Sequence, residues 1–400
     1  MRTIPATQRR APALDIAVVG GGMVGAAAAL ALSRAGFSTA LLETREPAAW
    51  QSQDDVDLRV VGLAPSSIKL LDELDVWTSI RQARACAYAH MHVWDAGNGA
   101  AIDFDAADEG RDQLGYIVEN NLVQWKLWQA LDAAGIRRLC PATVKDFGAR
   151  FDRVILELAD GESVTVRLLV AADGGSSPLR ERAGIKTHGR DYTQRAVVAH
   201  VTTERPHAHA CWQRFLPSGP LALLPLADGR SSIVWSLPEQ EARRVLSLDD
   251  EAFMKELGVA SDFRLGRVMA ATKRAAFPLK LQLADAYQSE RFVLLGDAAH
   301  VVHPLAGQGV NLGLRDVAEL RDVLSAARDA GRDFASSQTL RSYARRRRSA
   351  DTLDAYGFDA LARIYAWQGA PWVAARGWGV RLVDRLLPLK RRLAAHAAGL

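Results

Sequence analysis

A glycine-rich loop near the N-terminus constrains the fold of this chain more than any other stretch. Residues 15–19 predict a buried strand, and residues 20–25 read Gly-Gly-Gly-Met-Val-Gly, which fits G-x-G-x-x-G. A helix of small residues follows, and a second predicted strand at 39–42 ends at Glu43. The glycines permit a tight turn and close approach of a pyrophosphate, while an acid about 20 residues further on can bond a ribose hydroxyl. The pattern predicts a Rossmann-like dinucleotide site held by Gly20, Gly22, Met23, Val24, Gly25 and Glu43.

A second polar loop lies near residue 300. The apolar residues 292–295 predict a short buried strand, and residues 312–327 have apolar side chains at helical spacing. The loop between them carries Asp297, glycines, a proline, two histidines, a Gln and an Asn. Its glycines let a ligand approach the backbone, and the following helix offers free N–H groups and a partial positive charge. The loop predicts a site for a polar, partly anionic ligand; a well-capped strand-to-helix turn is the alternative.

A third strand-end loop lies between these two. Residues 154–158 and 164–170 predict a hairpin, whose second arm runs into Asp173 and two glycines. From residue 195 to about residue 276 the pattern changes to short alternating or apolar strands. That pattern favours a mainly antiparallel sheet with one buried face, followed by a return of the chain to the first domain.

Together, the three strand-end loops resemble the FAD signatures of the single-component (class A) flavoprotein aromatic monooxygenases. Within that group the chain is most similar to the ubiquinone-biosynthesis hydroxylases. The segments that carry the resemblance are 295–300, 303–316, 219–226, 234–236, 118–120 and 386–392. The resemblance implies an α/β, p-hydroxybenzoate hydroxylase-like fold: a Rossmann-like FAD-binding domain, a second antiparallel-sheet substrate domain, and C-terminal helices.

The predicted domain organisation is discontinuous. Its parts are a disordered leader at 1–13, an FAD-binding domain at 14–80, 106–190 and 285–366, a sheet substrate domain at 81–105 and 191–284, and a basic amphipathic tail at 367–400.

The resemblance also implies roles for individual residues. The first glycine loop and Glu43 would hold the ADP half of FAD, and Arg59 and Gln124 would approach the pyrophosphate or ribityl region. Asp173 would serve both FAD and the reductant, while Gly296 and Asp297 would hold the ribityl or ribose chain. The predicted flavin-facing residues are His303, Pro304, Leu305, Ala306, Gly307, Gln308, Gly309, Val310 and Asn311. The candidate substrate-pocket walls are Leu221, Leu223, Pro225 and Trp235, although core packing explains the same apolar residues equally well.

The implied reaction is hydroxylation of the aromatic ring of a polyprenylated phenol in ubiquinone biosynthesis. NADPH or NADH would reduce FAD transiently, since the chain has one G-x-G-x-x-G, and O2 would be the cosubstrate through a C4a-hydroperoxyflavin. Two alternatives stay open: a flavin monooxygenase for a small soluble phenol, and a non-catalytic flavin-bound scaffold of a quinone-synthesis complex. Gly307→Trp, which would block the flavin face, separates enzyme from scaffold. No catalytic triad is expected, and no metal site, because His300 and His303 lie on a proline-containing loop without a third ligand.

The composition indicates the cellular compartment in which the protein is expected. Three widely spaced cysteines indicate a reducing compartment. Residues 16–33 are uncharged, but three consecutive glycines argue against a spanning helix, so a cytoplasmic protein is expected. The net charge is +4, and the basic residues are not arranged as a nucleic-acid-binding module.

The C-terminal tail combines basic and apolar residues. Residues 372–400 hold six basic side chains against one acidic side chain, with two tryptophans nearby. This composition is typical of a helix at an anionic membrane, here the inner membrane face; a helix docked on its own protein is the equal alternative. The resemblance leaves a homodimer open. The run of arginines at 345–348 is typical of a solvated helix face.

Overall fold

The computed structural model describes residues 14–302, 309–367 and 369–399. Its strands are β1 (Leu14–Val19), β2 (Thr39–Leu42), β3 (Val60–Leu63), β4 (Cys86–Tyr88), β5 (His90–Asp95), β6 (Ala101–Asp105), β7 (Gly115–Glu119), β8 (Arg137–Leu139), β9 (Val144–Arg150), β10 (Arg153–Leu158), β11 (Ser163–Ala171), β12 (Thr187–Thr203), β13 (Ala210–Leu216), β14 (Gly219–Pro225), β15 (Ser231–Pro238), β16 (Val268–Ala271), β17 (Ala275–Ala284), β18 (Gln288–Ser289), β19 (Phe292–Leu294) and β20 (His300–Val301). Its helices are α1 (Met23–Arg34), α2 (Pro65–Glu73), α3 (Trp77–Arg84), α4 (Asn120–Ala133), α5 (Pro178–Arg182), α6 (Glu239–Ser247), α7 (Asp250–Ala260), α8 (Gly309–Asp329), α9 (Ser337–Ala366), α10 (Ala370–Arg385) and α11 (Leu387–Ala398), with short 3-10 turns at Ala106–Glu109 and Gly296–Ala298.

The first sheet has a parallel centre, as the α/β prediction requires. Its strand order is β18-β19-β11-β1-β2-β8, and β10 and β9 extend it antiparallel from β11. The neighbours from β19 to β8 run parallel. The central strands read as continuous apolar runs because helices cover both faces of a parallel sheet. Helix α1 packs its small buried residues against α4 and α8.

The second sheet is mainly antiparallel. Its order is β20-β17-β12-β15-β14-β13-β5-β6, with β16 paired to β12. The pair β5–β13 is parallel, whereas the others are antiparallel. Helices α6 and α7 cover one face over a separate apolar core. A small antiparallel sheet, β3-β7-β4, lies against the opposite face, where Ile117 packs with Ala222 and Leu224. The α/β fold class with a second antiparallel sheet and C-terminal helices is therefore confirmed.

The C-terminal helices dock on the protein. Arg376 of α10 is buried and donates Nε to Asp95 Oδ2 at 2.6 Å and Nη2 to Asp95 Oδ1 at 3.1 Å. Arg376 also donates to the Ile364 carbonyl at the end of α9, and Asn98 donates to both Asp95 and the Val373 carbonyl. These bonds join α9, α10 and the β5–β6 turn. In the part of the chain that the structure describes, no helix combines the length and the apolar character needed to cross a membrane.

The arginine run at 345–348 is only partly a solvated face. Arg345, Arg346 and Arg348 are exposed, but Arg347 is buried and paired with acids of α8 and α9. The prediction of a solvated run is wrong for Arg347. Its partner in α8, Asp316, lies 31 residues away, so the pairing depends on how two helices pack rather than on local sequence.

Candidate cofactor cleft and substrate cavity

Four polar loops meet at one edge of the parallel sheet. Strand register pairs Val19 with Leu42 and with Ala171, and pairs Ala171 with Leu294. Each of these residues is the last of its strand. The segments that follow carry Gly20, Glu43, Asp173 and Gly296–Asp297, which are residues that the sequence singled out. Ligands of open α/β sheets bind at the carboxyl ends of the strands, so this edge is a candidate cofactor cleft.

The glycine loop is shaped by close backbone contacts. Gly20 has a φ of +106°, and a Cβ there would overlap the Ala172 carbonyl. A Cβ on Gly25 would overlap the carbonyl of Gly20. Gly22, by contrast, caps α1 without a side-chain hydrogen bond and has open space beside it. The free N–H groups of the first α1 turn therefore face an unobstructed approach, as phosphate binding requires.

The Glu43 carboxylate lies directly beside this loop. It accepts a hydrogen bond from Gly21 N–H, and its other oxygen accepts from Thr44 N–H at 2.6 Å and Thr44 Oγ1–H at 2.7 Å. Burial raises the pKa of Glu43, but the N–H groups of Gly21, Thr44 and Arg45 and the Thr44 hydroxyl outweigh it, so the net pKa is lowered. Glu43 is therefore held as an anion, the form that accepts hydrogen bonds from ribose hydroxyls.

The outer side of the glycine loop is held by α4. Gln124 Nε2–H and Trp128 Nε1–H each donate to the Gly21 carbonyl at 2.8 Å. Sequence reasoning found Gln124 and missed Trp128, although their spacing of four on a helix places them on one face. The Arg59 side chain is exposed near the Phe277 ring, and its carbonyl accepts from Asn120 N–H at the start of α4.

Asp173 is occupied by its own turn. Its two oxygens accept from Ser177 Oγ–H at 2.6 Å and Leu179 N–H at 3.1 Å. Arg180 is buried and donates to the carbonyls of Gly175 and Ala298, which ties this turn to the Gly296–Asp297 turn. In this arrangement Asp173 stabilises the loop that follows β11. Arg180 connects that loop to the turn that follows β19.

The Gly296–Asp297 turn packs tightly on both neighbouring helices. A Cβ on Gly313 would lie 2.5 Å from Val24 Cγ2 and 3.2 Å from Gly296 Cα. The starts of α1 and α8 are thereby brought together beside Asp297. Asp297 is exposed to solvent although protein atoms crowd around it, as expected at the base of an open cleft. This crowding raises the pKa of Asp297, and nearby His300 opposes the rise.

The predicted flavin-facing stretch is described only in part. His303, Pro304, Leu305, Ala306, Gly307 and Gln308 lie outside the described residues. Gly309 and Val310 begin α8, whose first turn has no acidic residue. Asn311 is fully buried: its Oδ1 accepts from Ala64 N–H at 2.9 Å and Ser67 Oγ–H at 2.7 Å, and its Nδ2–H donates to the Gly62 carbonyl at 2.7 Å. Asn311 therefore clamps α8 to the β3–α2 junction.

A buried charged cluster lies behind the Gly296 turn. Asp316 Oδ2 accepts from Gly296 N–H at 2.9 Å and contacts His300 Nε2 at 2.7 Å. Arg347 donates to Asp316 Oδ1 at 2.6 Å and to Asp351. Burial alone would lower the pKa of His300, but Asp316 and Asp351 raise it to about 9. Burial would raise the pKa of Asp316, which His300 holds below its usual range, whereas burial and the neighbouring Asp316 raise the pKa of Asp351 to about 7.

This cluster is better described as an ion-pair network than as a metal centre. His300, Asp316 and Asp351 place ligand atoms within 4.8 Å of one another, which is close enough to surround an ion. Arg347 already donates to both carboxylates, and its positive charge would oppose a cation at the same position. Sequence reasoning considered His300 together with His303 and missed the two acids, which come from different helices.

A cavity of about 510 Å³ lies between the second sheet and the C-terminal helices. Its walls come from β5, β6 and β13 on one side and from α9, α10 and α11 on the other, and they are mostly apolar. Gly62 and Ala64 line one end of it, and these are the residues whose backbone Asn311 holds. The cavity therefore ends beside the first turn of α8, next to the candidate cofactor cleft.

Three of the predicted pocket walls lie on the face of the second sheet that points away from the cavity. Leu221, Leu223 and Trp235 pack in the core beneath α6 and α7. Ala222 and Leu224 point the other way, toward the cavity side. The strand β14 is apolar throughout, so its sequence carries no alternation that tells one face from the other. Pro225, at the end of β14, is buried opposite Ser231 and does not line the cavity.

Comparison with known proteins identifies the kind of molecule that has this arrangement. A family model described as an FAD binding domain matches residues 13–353. The 3-demethoxyubiquinol 3-hydroxylase of Escherichia coli is 36% identical over 387 residues, which cover 96% of this chain and 98% of that protein. The human ubiquinone biosynthesis monooxygenase COQ6, mitochondrial, is 34% identical over 439 residues, covering 96% and 92%. The fold of Klebsiella pneumoniae HpxO complexed with FAD and uric acid is similar, with a TM-score of 0.72, 18% identity, and coverage of 94% and 95%.

Proposed function

The chain belongs to the family of FAD-dependent hydroxylases that act in ubiquinone biosynthesis, and on that premise we propose that it hydroxylates the ring of a polyprenylated phenol. The observation that carries the proposal is the apolar cavity that ends beside the candidate cofactor cleft. A cavity of about 510 Å³ with mostly apolar walls suits a ring that carries a prenyl chain, whereas a small soluble phenol would leave most of that apolar surface without a partner.

The residues at the edge of the parallel sheet fit FAD. The uncapped start of α1 would receive the pyrophosphate, Glu43 the adenosine ribose, and Asp297 the ribityl chain. The start of α8 would direct its positive end toward the flavin ring, where reduction adds negative charge. FAD, reduced by NAD(P)H, supplies the activated oxygen. The protein's own contribution is to hold the ring of the substrate between mostly apolar walls beside the cleft, where water is excluded and the oxygen can be transferred to the ring.

Lipid analysis of cells tests the substrate class. In cells that lack this gene, mass spectrometry of extracted quinones should show accumulation of a prenylated phenol one oxygen short of the normal product. Restoring the gene should remove that species, and its structure would name the ring position. A normal quinone profile in a strain without a second hydroxylase of this kind would contradict the proposal.

We further propose that the outer surface of α10 and α11 rests on the cytoplasmic face of the inner membrane. Trp372 and Trp378 are 58% and 66% exposed on α10, and Arg381, Arg385 and Arg392 are exposed on the same two helices. Tryptophan at an interface and arginine near anionic headgroups both favour binding to a membrane surface. The inner surface of the same helices lines the cavity, so a membrane-dissolved substrate would have a short path into it.

Vesicle co-sedimentation tests the membrane surface. The purified holoenzyme should sediment with vesicles that contain phosphatidylglycerol and much less with pure phosphatidylcholine. Trp378→Ser should weaken sedimentation, whereas Phe151→Ser, which removes an aromatic side chain that is 96% exposed on the remote β9–β10 turn, should not. Equal loss in both variants would mean that general hydrophobicity causes the binding and that α10 does not.

A further inference from the structure

Gln213 is a polar residue on a sheet face that is otherwise apolar. Side chains of β13 alternate, so Cys211, Gln213 and Phe215 share one face while Trp212 and Arg214 share the other. On that face the neighbouring strands contribute the following apolar residues: Met91 and Val93 from β5, and Ala222 and Leu224 from β14. Gln213 therefore lies at the centre of an apolar wall.

The amide of Gln213 has no protein partner in the described part of the chain. The side chain is only 6% exposed, and it borders both the large cavity and a small recess that continues from it past Gly62 and Tyr88. Burying an amide without a hydrogen bond costs free energy, so such a group calls for a ligand or for another explanation.

The charged side chains that line the cavity are all paired with a neighbouring residue. Arg376 is bonded to Asp95, and Arg111 contacts Glu109 at 3.4 Å. Gln213 differs from these groups because its donor and its acceptor both remain available to a bound molecule.

Gln213 lies at the end of the cavity nearest the candidate cofactor cleft, where the ring would be hydroxylated. Gly62, which lines the same recess, is held by Asn311 in the first turn of α8. The cavity-lining side chains of β6 and α10, which include Ile102, Phe104 and Val380, are apolar and offer no comparable amide. A ligand with one polar and one apolar end would therefore bind with its polar end at Gln213.

We propose that Gln213 is a specificity-determining residue that recognises an oxygen substituent on the ring of the substrate. The inference rests on the proposed function, since it takes the ring to lie at the α8 end of the cavity and the prenyl chain to extend along the apolar walls from β6 and α10. The amide donates to or accepts from a ring hydroxyl, and that bond orients the ring toward the cofactor cleft. Tyr88, beside it in the recess, is held in its neutral form because burial raises the pKa of its hydroxyl.

A pair of ligands that differ by one hydroxyl tests the inference. The FAD-loaded protein is dialysed at equilibrium against 2-farnesylphenol and against farnesylbenzene, which lacks the hydroxyl. Wild type should prefer the phenol by about tenfold. Gln213→Leu should abolish that preference, and its melting temperature should not fall, because an apolar side chain of similar size replaces an amide that has no partner. Phe215→Leu is the matched control: it changes the shape of the same wall and should weaken both ligands equally.

The outcomes of this binding experiment separate a failure of the inference about Gln213 from a failure of the proposed function. An unchanged preference for the phenol in Gln213→Leu would overturn the inference about Gln213 and leave the proposed function in place. A lower melting temperature together with loss of both ligands would also overturn it, since that result indicates a structural role. If wild type retains FAD and binds neither ligand, the proposed substrate class is wrong and the inference falls with it.

Discussion

Two buried amides in this protein have opposite surroundings. Asn311, at the start of α8, is fully buried and makes hydrogen bonds to Ala64, Ser67 and Gly62. Gln213, in the cavity wall, is 6% exposed and makes none within the described residues. The first amide holds the start of α8 beside the candidate cofactor cleft, and the second faces the cavity that the substrate would occupy. On the proposed function, the satisfied amide of Asn311 serves the fold, whereas the unpaired amide of Gln213 is available to the substrate.

The largest expected effect is loss of FAD on substitution of a glycine that is in close contact with the backbone of the cleft. Gly25→Ala forces a Cβ into the carbonyl of Gly20 and must displace the loop. The variant should lose essentially all bound FAD, measured as flavin absorbance per protein after gel filtration. Gly357→Ala, in an open position inside α9, is the control and should retain its flavin. A fully flavin-loaded Gly25→Ala protein would mean that the glycine loop does not hold the cofactor.

Asn311→Leu sharpens the contrast between the two amides directly. It leaves the Ala64 N–H and the Gly62 carbonyl buried without partners, at roughly 1–3 kcal/mol each. We expect the free energy of unfolding to fall by about 4 kcal/mol in urea denaturation. Gln213→Leu, measured in parallel, should show no loss. Similar losses in both variants would remove the distinction between a satisfied and an unsatisfied amide.

The two faces of β14 should also respond differently. Leu223→Ala creates a hole beneath α6 and α7 and should cost about 3 kcal/mol of stability while leaving the KM for the prenylated phenol unchanged. Leu224→Ala enlarges the space on the cavity side and should raise KM with a smaller stability loss. If KM changed in Leu223→Ala and not in Leu224→Ala, the pocket walls predicted from the sequence would be supported instead.

The smallest effect concerns the charged cluster behind the cleft. The folded pKa of His300, about 9, lies above its ordinary value, so the folded state keeps a proton that the unfolded state releases. Stability from this group is complete below about pH 6.5 and is lost as the pH rises through about 9. We expect wild type to lose about 2 kcal/mol more than His300→Gln between pH 7 and pH 9 in urea denaturation. Parallel pH profiles would show that His300 is neutral in the fold.

The sequence predicted the loops of the candidate cofactor cleft more completely than it predicted the walls of the cavity. The loops at Gly20, Asp173 and Gly296 could be found because each needs particular residue types directly after an apolar strand. The cavity face of β14 could not be chosen because every residue of that strand is apolar except its first glycine. The clamp role of Asn311 and the burial of Arg347 depend on partners more than 30 residues distant, which local patterns do not encode. The docking of the tail likewise needed Asp95.

The most direct measurement is oxygen transfer by the purified protein. The FAD-loaded enzyme is given NAD(P)H, a prenylated phenol and ¹⁸O2, and the product is examined by mass spectrometry. Hydroxylation is predicted to add one ¹⁸O atom to the ring in wild type and none in Gly25→Ala. Oxidation of NAD(P)H without any labelled product, across prenylated and small soluble phenols alike, would contradict a hydroxylase.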